Sequence, residues 1–466
     1  MFKKLCIGFF AALTAFVLMS TFYIVRSGLS LKLILFSAGN IPYIKNILPL
    51  ITSSAPFFAC LTGILFFAGK KHLVCIVSAL LFSLAYFVLS TDFITLFLPG
   101  TLREDKEFSV LEQKQAEHSL RRIVQNYISL PLSDILRQNY VKTEPILKKN
   151  GKNVVFIMLE SMESNFNNYN ETNLIPNIEM LQRQHLSFGG RASLTPLSNT
   201  ATATVAFIYG LPVKMYDTLW AMQDYNYDYL GAYPSIIDVY NQAGYQTAFI
   251  FGSDKKFAKT ESLIKNAGFN EYWDKNKIIS HYEQKYPLND WGISDYDLYA
   301  IIKDKMRAYH RRGQPFFILA KTVETHFPQG HPSPHCPRKG TDMETAVFCT
   351  DKMLHEFLDW AARQSFYEDT LFIIVGDHLM MSCPFSQKIV GKRDCVFTVI
   401  NSGQSGYILK RHSAFDIAPT VLELSGAKIR EHVFGLGTSL LSHKPTLTER
   451  LGAEKLEIEL NKKFFK

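Results

Sequence analysis

Two carboxylates and two imidazoles in this 466-residue chain stand just behind short apolar, β-rich runs. Glu160 ends the run 154–159, and Asp377 and His378 follow 371–375 through Gly376. His326 follows the run 316–323 in Thr325-His326-Phe327-Pro328. Hard carboxylate oxygens with an imidazole suit Zn²⁺ or Mn²⁺, with Mg²⁺ a further candidate. A fourth ligand comes from 198–212, where a turn-like Ser198-Asn199 precedes a small-residue helix and puts Thr200 at its N-terminus. There, unpaired N–H groups and the positive dipole end favour an anionic phosphoryl group. A hydroxyl on a divalent ion also ionises far more readily than a free one, so these residues spell metal-assisted attack by threonine. Each has a plainer reading when taken singly. Thr200 caps a helix, Glu160 is a solvated carboxylate, His326 is a loop histidine, and Asp377-His378 is a loop pair. Their joint position behind strands is what argues for a site.

That position makes sense in a parallel sheet, where ligands bind beyond the carboxyl ends of the strands. Strands are expected at 154–159, 246–251, 316–323, 371–375 and 396–400, and helices near 176–184, 235–242, 295–309, 345–362 and 415–424. The alternation predicts an α/β fold, a mostly parallel sheet sandwiched by helices, over 151–445. A transmembrane anchor is expected at 1–100, a juxtamembrane helical linker at 101–150 and a charged tail at 446–466.

The charge supports this division. Of the net +8, residues 1–100 hold seven Lys/Arg against Asp92 alone, which leaves 43 basic and 41 acidic residues in the rest. The basic excess therefore belongs to the anchor and does not point to nucleic acid. Runs at 5–25, 51–69 and 73–98 are each long enough to span a bilayer. Lys3 and Lys4 before the first, and Lys70 and Lys71 between the second and third, put those ends in the cytoplasm and the large domain outside. Residues 26–50 read as an interfacial segment. In the domain, Cys336, Cys349, Cys383 and Cys395 permit three pairings and suit an oxidising compartment. No C-x₂₋₄-C pair occurs among them, which argues against a structural zinc site.

From Asn153 to about Leu441 the motifs, in this order, resemble the alkaline-phosphatase/sulfatase-like superfamily, in its membrane-anchored phosphoglycerol/phosphoethanolamine transferase branch. They are Leu159-Glu160-Ser161, the Thr200 segment ending Gly210-Leu211-Pro212, Asp290-Trp291-Gly292 with Asp295, Thr325-His326-Phe327-Pro328, Gly376-Asp377-His378, and the tail Asp416-Ile417-Ala418-Pro419 with Gly435-Leu436-Gly437. The resemblance implies Glu160, Thr200, Asp377 and His378 as metal ligands, Thr200 as nucleophile, and His326 and Trp291 near the transferred group. Lys255 and Lys256 are candidate phosphate contacts. The stretch from Thr325 to Gly330, followed by Cys336 and Cys349, looks like the phosphoglycerol transferase I type. That type implies phosphatidylglycerol as donor, a periplasmic glycan as acceptor and a multi-pass protein of the bacterial inner membrane whose domain faces the periplasm. Phosphatidylethanolamine as donor, with a lipid A or glycan acceptor, is the second reading, and an inactive lipid- or glycan-binding sensor the third. A disulfide Cys336–Cys349 is expected from the short separation, closing a loop beside His326. No C/S-x-P-x-R setting surrounds Thr200, which argues against sulfatase activity. The Lys255 stretch lacks the Trp and Arg that lipoteichoic-acid synthases carry there.

Overall fold

The computed structural model describes residues 133–149, 151–213 and 227–462, within the unit Leu130–Lys466. The three expected spans, the interfacial segment and most of the expected linker lie outside the described residues. Among the described residues no helix is long and apolar enough to cross a membrane.

In chain order the elements are α1 (Asp134–Asn139), β1 (Asn153–Leu159), α2 (Pro176–Gln184), β2 (Leu186–Arg191), α3 (Thr200–Tyr209), α4 (Ile236–Gln242), β3 (Gln246–Phe251), α5 (Thr260–Ala267), β4 (Glu271–Trp273), α6 (Lys275–His281), α7 (Asp295–Arg311), β5 (Phe316–Lys321), α8 (Asp342–Ala361), β6 (Thr370–Gly376), β7 (Phe397–Ile400), β8 (Gly406–His412) and α9 (Ile417–Leu424). The short pair β9 (Val433–Phe434) and β10 (Gly437–Thr438) follows, then α10 (Leu447–Leu451) and α11 (Ala453–Leu460). Eight strands form one sheet in the order β4-β3-β5-β1-β6-β7-β2-β8. Every pairing is parallel except those of β7, which runs against β6 and β2.

β1 shows why the centre of the sheet forms. Its run Val154-Val-Phe-Ile-Met-Leu159 is fully buried, and alternate side chains enter two separate cores. Val154, Phe156 and Met158 meet α3, α4, α5 and α9 on one face, while Val155, Ile157 and Leu159 meet α2, α7 and α8 on the other. Each such side chain contributes about 1.5–3 kcal/mol by leaving water. The register of β1 between β5 and β6 is therefore held strongly, and with it the residues that follow each strand.

The sheet has three strands that the sequence pattern did not announce. β2 (Leu-Ser-Phe-Gly-Gly-Arg) reads as a turn because of its glycines, yet Gly190 sits at φ +91° with Lys410 O only 2.7 Å from where a Cβ would stand. β4 has three residues, too few for a period. β8 lies at an edge with Tyr407 and Leu409 exposed.

Two expected boundaries need correction. Of the expected charged tail, residues 446–462 belong to the domain: α10 and α11 pack Leu447, Leu456 and Leu460 into the first core. Residues 133–149, expected as linker, also belong to the domain. Leu136 is buried in the same core, Ser133 Oγ donates to Glu459 Oε2 at 2.7 Å, and Val141 and Ile146 bridge to Gly435 and Lys428. Charged residues on the outer faces of these short segments hid the few apolar anchors that dock them.

Candidate active site

Glu160 is the first residue beyond β1, and Asp377 and His378 are the first beyond β6, its hydrogen-bonded neighbour. The two strand ends meet closely at Gly376, where a Cβ would lie 2.0 Å from Met162 O. Only glycine allows that approach. The chain then turns at Ser161, whose φ of +51° is unusual for a residue with a side chain. That conformation sends its N–H to Asp377 Oδ1 at 2.8 Å and its hydroxyl to Glu160 Oε1 at 2.8 Å. The same Asp377 oxygen accepts from His378 N at 2.8 Å. Glu160 N donates to the Thr322 hydroxyl at 3.0 Å, and Thr325 Oγ1 donates to Glu160 O.

Thr200 arrives from a different part of the chain. Asn199 caps α3 by accepting from Thr202 N at 3.1 Å, and Gly210 ends the helix in the left-handed region, so Thr200 is the first helical residue. Its hydroxyl donates to Glu160 Oε2 at 2.8 Å and lies 3.4 Å from His378 Nε2. His378 Nε2 is 3.5 Å from both Glu160 Oε1 and Asp377 Oδ2. The other ring nitrogen, Nδ1, lies 2.9 Å from Leu379 O; a proton there leaves the Nε2 lone pair facing the carboxylates.

These groups fit a divalent cation. One ligand atom each from Glu160, Asp377 and His378 lies within 4.8 Å of the others, and all three residues are buried. Asp377 Oδ2 is buried with no hydrogen-bond partner among the described residues, although an orphaned carboxylate oxygen is strongly disfavoured. The electrostatics carry the same message. Burial pushes the Asp377 carboxyl up and Glu160 adds to the rise, against the opposing His378. Burial would raise Glu160 too, but His378, His326 and the Thr200 and Ser161 hydroxyls bring it below its ordinary value. Burial opposes charge on His378, yet Asp377 and Glu160 hold its pKa up. Two carboxylates packed in apolar surroundings call for compensating positive charge.

His326 stands beside this set on the loop after β5. Its ring stacks on Trp291 with centroids 3.7 Å apart, and Trp291 leans edge-on against Phe257 at 5.6 Å. His326 Nδ1 lies 2.8 Å from Phe327 O, leaving Nε2 for chemistry when the proton is on Nδ1. Trp291 is held because Asn289 Oδ1 accepts from Trp291 N and Gly292 N at 2.8 and 3.0 Å.

The lysines fare differently. The Lys255 ammonium is engaged by Glu261 and by the Tyr272 hydroxyl, and Lys256 donates its backbone N–H to Asp254 Oδ1. Cys336 and Cys349 form a disulfide with Cα atoms 5.5 Å apart, tying the loop beyond His326 to α8, whereas Cys383 and Cys395 are free and buried.

Sequence reading passed over three residues. Ser161 binds two of the acidic groups, Arg191 donates through Nη2 to Gly376 O, and Glu163 holds Met380 N at 2.8 Å while pairing with Arg393. Glu163 stands three residues after Glu160 and carried a weak signal; Arg191, behind two glycines, carried none.

A sulfatase family model matches residues 152–427. Phosphoglycerol transferase I of Salmonella paratyphi B and of Salmonella typhimurium are each 28% identical over 307 residues, covering 62% of this chain and 39% of theirs. The chain thus spans about two-fifths of the length of these curated relatives. Among solved structures, a protein of the alkaline phosphatase superfamily from Vibrio parahaemolyticus is similar in fold, at 20% identity and a TM-score of 0.51, covering 64% of this chain and 75% of its own. The lipoteichoic acid synthase of Listeria monocytogenes gives the same identity and TM-score over 66% and 81%.

Proposed function

Because the chain belongs to the sulfatase family, we propose that it is a metal-dependent phosphotransferase that moves a phosphoglycerol head group from phosphatidylglycerol to a hydroxyl of a periplasmic glycan. The observation that carries this reading is the Thr200 hydroxyl, held 2.8 Å from Glu160 and 3.4 Å from His378 at the end of the sheet. Glu160, Asp377, His378 and Thr200 would hold a Mn²⁺ or Zn²⁺ ion. Such an ion supplies acidification of the hydroxyl and neutralisation of phosphoryl charge.

In the first half-reaction Thr200 Oγ1 attacks the lipid phosphorus, the bond to the diacylglycerol oxygen breaks, and a phosphodiester to threonine forms. The hydroxyl proton has an acceptor in place at Glu160 Oε2. In the second half-reaction the acceptor hydroxyl attacks the same phosphorus, its proton is lost to a base, and Thr200 is released. His326, with Nε2 facing away from its Phe327 carbonyl, protonates the leaving diacylglycerol oxygen and then takes the proton of the acceptor. Trp291 stacks on that ring and fixes its orientation. The three expected spans would keep the donor lipid close to the site, which raises its effective concentration.

The test is intact-mass analysis of the full chain in detergent, with Mn²⁺ and phosphatidylglycerol. We expect a phosphoglycerol adduct on Thr200 that is absent in Thr200→Ala. No adduct on Thr200 overturns the covalent route. The Thr200-Ala-Thr-Ala203 run favours phosphoethanolamine transfer as second reading, and the adduct mass with phosphatidylethanolamine distinguishes the two. A silent lipid- or glycan-binding relative would yield neither adduct and no stoichiometric metal.

A further inference from the structure

Among the described residues one buried cation has no part in this scheme. Lys321 ends β5 and is 8% exposed. Among the described residues its ammonium makes no hydrogen bond or ion pair, and it lies 5.7 and 5.3 Å from the rings of Phe249 and Phe251. An unpaired ammonium in apolar surroundings destabilises a fold and is retained where it serves a site.

Its position says which site. Lys321 pairs in register with Met158 and shares the face of Phe317 and Leu319, the face that α3 covers. Met158 Sδ lies 3.9 Å from Thr204 Oγ1, which in turn donates to Thr200 O at 2.6 Å. The start of α3 thus rests on Met158 of β1, the register partner of Lys321 on the adjoining strand β5. The next residue, Thr322, holds Glu160 N. A helix N-terminus and a buried ammonium, two positive features, thus lie over one face at the ends of adjoining strands, and that combination recruits an anion. Burial lowers the Lys321 pKa, while Glu160 and Asp377 pull it back up.

We propose that Lys321 is an anion-binding residue of this site, holding a non-bridging oxygen of the phosphoryl group while that group is on Thr200. The inference rests on Thr200 as nucleophile. The rival role, balancing the charge of Glu160 and Asp377, needs no bound anion and predicts unchanged phosphate affinity. The experiment uses the full chain in detergent, loaded with Mn²⁺, and compares wild type with Lys321→Met and Lys321→Arg for binding of inorganic phosphate and of Mn²⁺. We expect Lys321→Met to lose at least tenfold in phosphate affinity, with Mn²⁺ affinity unchanged or tighter, and Lys321→Arg to recover part of the loss. Unchanged phosphate affinity, or weaker Mn²⁺ binding as the main effect, overturns the proposal. In the wild type, phosphate should slow reductive methylation of Lys321 at least fivefold; absence of protection overturns it without any variant. Phosphate binding that Lys321→Met loses supports the lysine even if no lipid yields an adduct. An adduct formed at an unchanged rate by Lys321→Met removes the lysine alone and leaves the transferase reading standing.

Discussion

The two halves of the candidate site are held in place by different means. The acidic centre of Glu160, Asp377 and His378 hangs directly from β1 and β6, paired in register from Asn153↔Thr370 to Leu159↔Gly376. The wall of Trp291 and His326 stands on loops that no ladder holds. It depends on a reciprocal clamp instead. Asp295 accepts from Val323 N and Glu324 N at 2.9 and 3.0 Å, and Glu324 Oε1 accepts from Asp295 N at 3.0 Å and Ser294 Oγ at 2.8 Å. Gly292, at φ +137°, presses against Gly252 so closely that a Cβ would lie 1.9 Å from its carbonyl oxygen. Backbone pairing therefore fixes the acidic centre cheaply, whereas the wall needs two buried carboxyls. Burial pushes the Asp295 and Glu324 carboxyls well above their usual range.

The largest effect should come from the ladder-held half. Asp377→Ala removes a proposed metal ligand and the acceptor for two N–H groups, and we expect transfer to fall by at least ~10³-fold with metal content lost. Retention of stoichiometric metal, read by elemental analysis, would break the contrast between the halves. The clamp should matter next. Asp295→Asn cannot accept both N–H groups, so we expect transfer to drop ~10- to 100-fold and stability by about 1–3 kcal/mol, with metal content unchanged. The pH dependence has a definite sign. Because the folded pKa of Asp295 lies above its ordinary 3.8, the native state holds this proton more tightly than the unfolded state. Its contribution is full below pH 3.8 and is lost as pH rises through the folded pKa. Urea midpoints should therefore fall less steeply from pH 4 upward in Asp295→Asn than in the wild type; equal slopes would sink the assignment.

Cys336→Ser acts farther from the chemistry. It opens a 13-residue separation, for which we expect a loss of about 3 kcal/mol, while folded protein transfers within ~3-fold of wild type. A large loss of activity at full folding would move the disulfide into the wall itself. The smallest effect is expected at Lys255, whose ammonium is taken by Glu261 and Tyr272. Lys255→Ala should leave transfer within about twofold, and a tenfold rise in KM for the lipid would restore it as a head-group contact.

The sequence by itself determined the strands β1, β3, β5 and β6 and the residues behind them, because continuous apolar runs of five or more residues have little choice but a buried, parallel sheet. Helix spacing likewise marked α2, α7 and α8, and the capped small-residue run placed Thr200 at a helix start. Residues whose partners are distant in the chain were not legible in this way. Arg191 reaches Gly376, Glu163 reaches Arg393, and Ser133 reaches Glu459. No local pattern encodes such pairs, and glycine-rich β2, short β4 and edge strand β8 lack the apolar period that would have announced them. Only the tertiary structure decided that Thr200, 40 residues from Glu160 and 178 from His378, shares their corner, since that meeting is set by how α3 packs on the sheet. Periodicity tells which side of an element is buried; the distances between chemical groups on different elements come from packing them together.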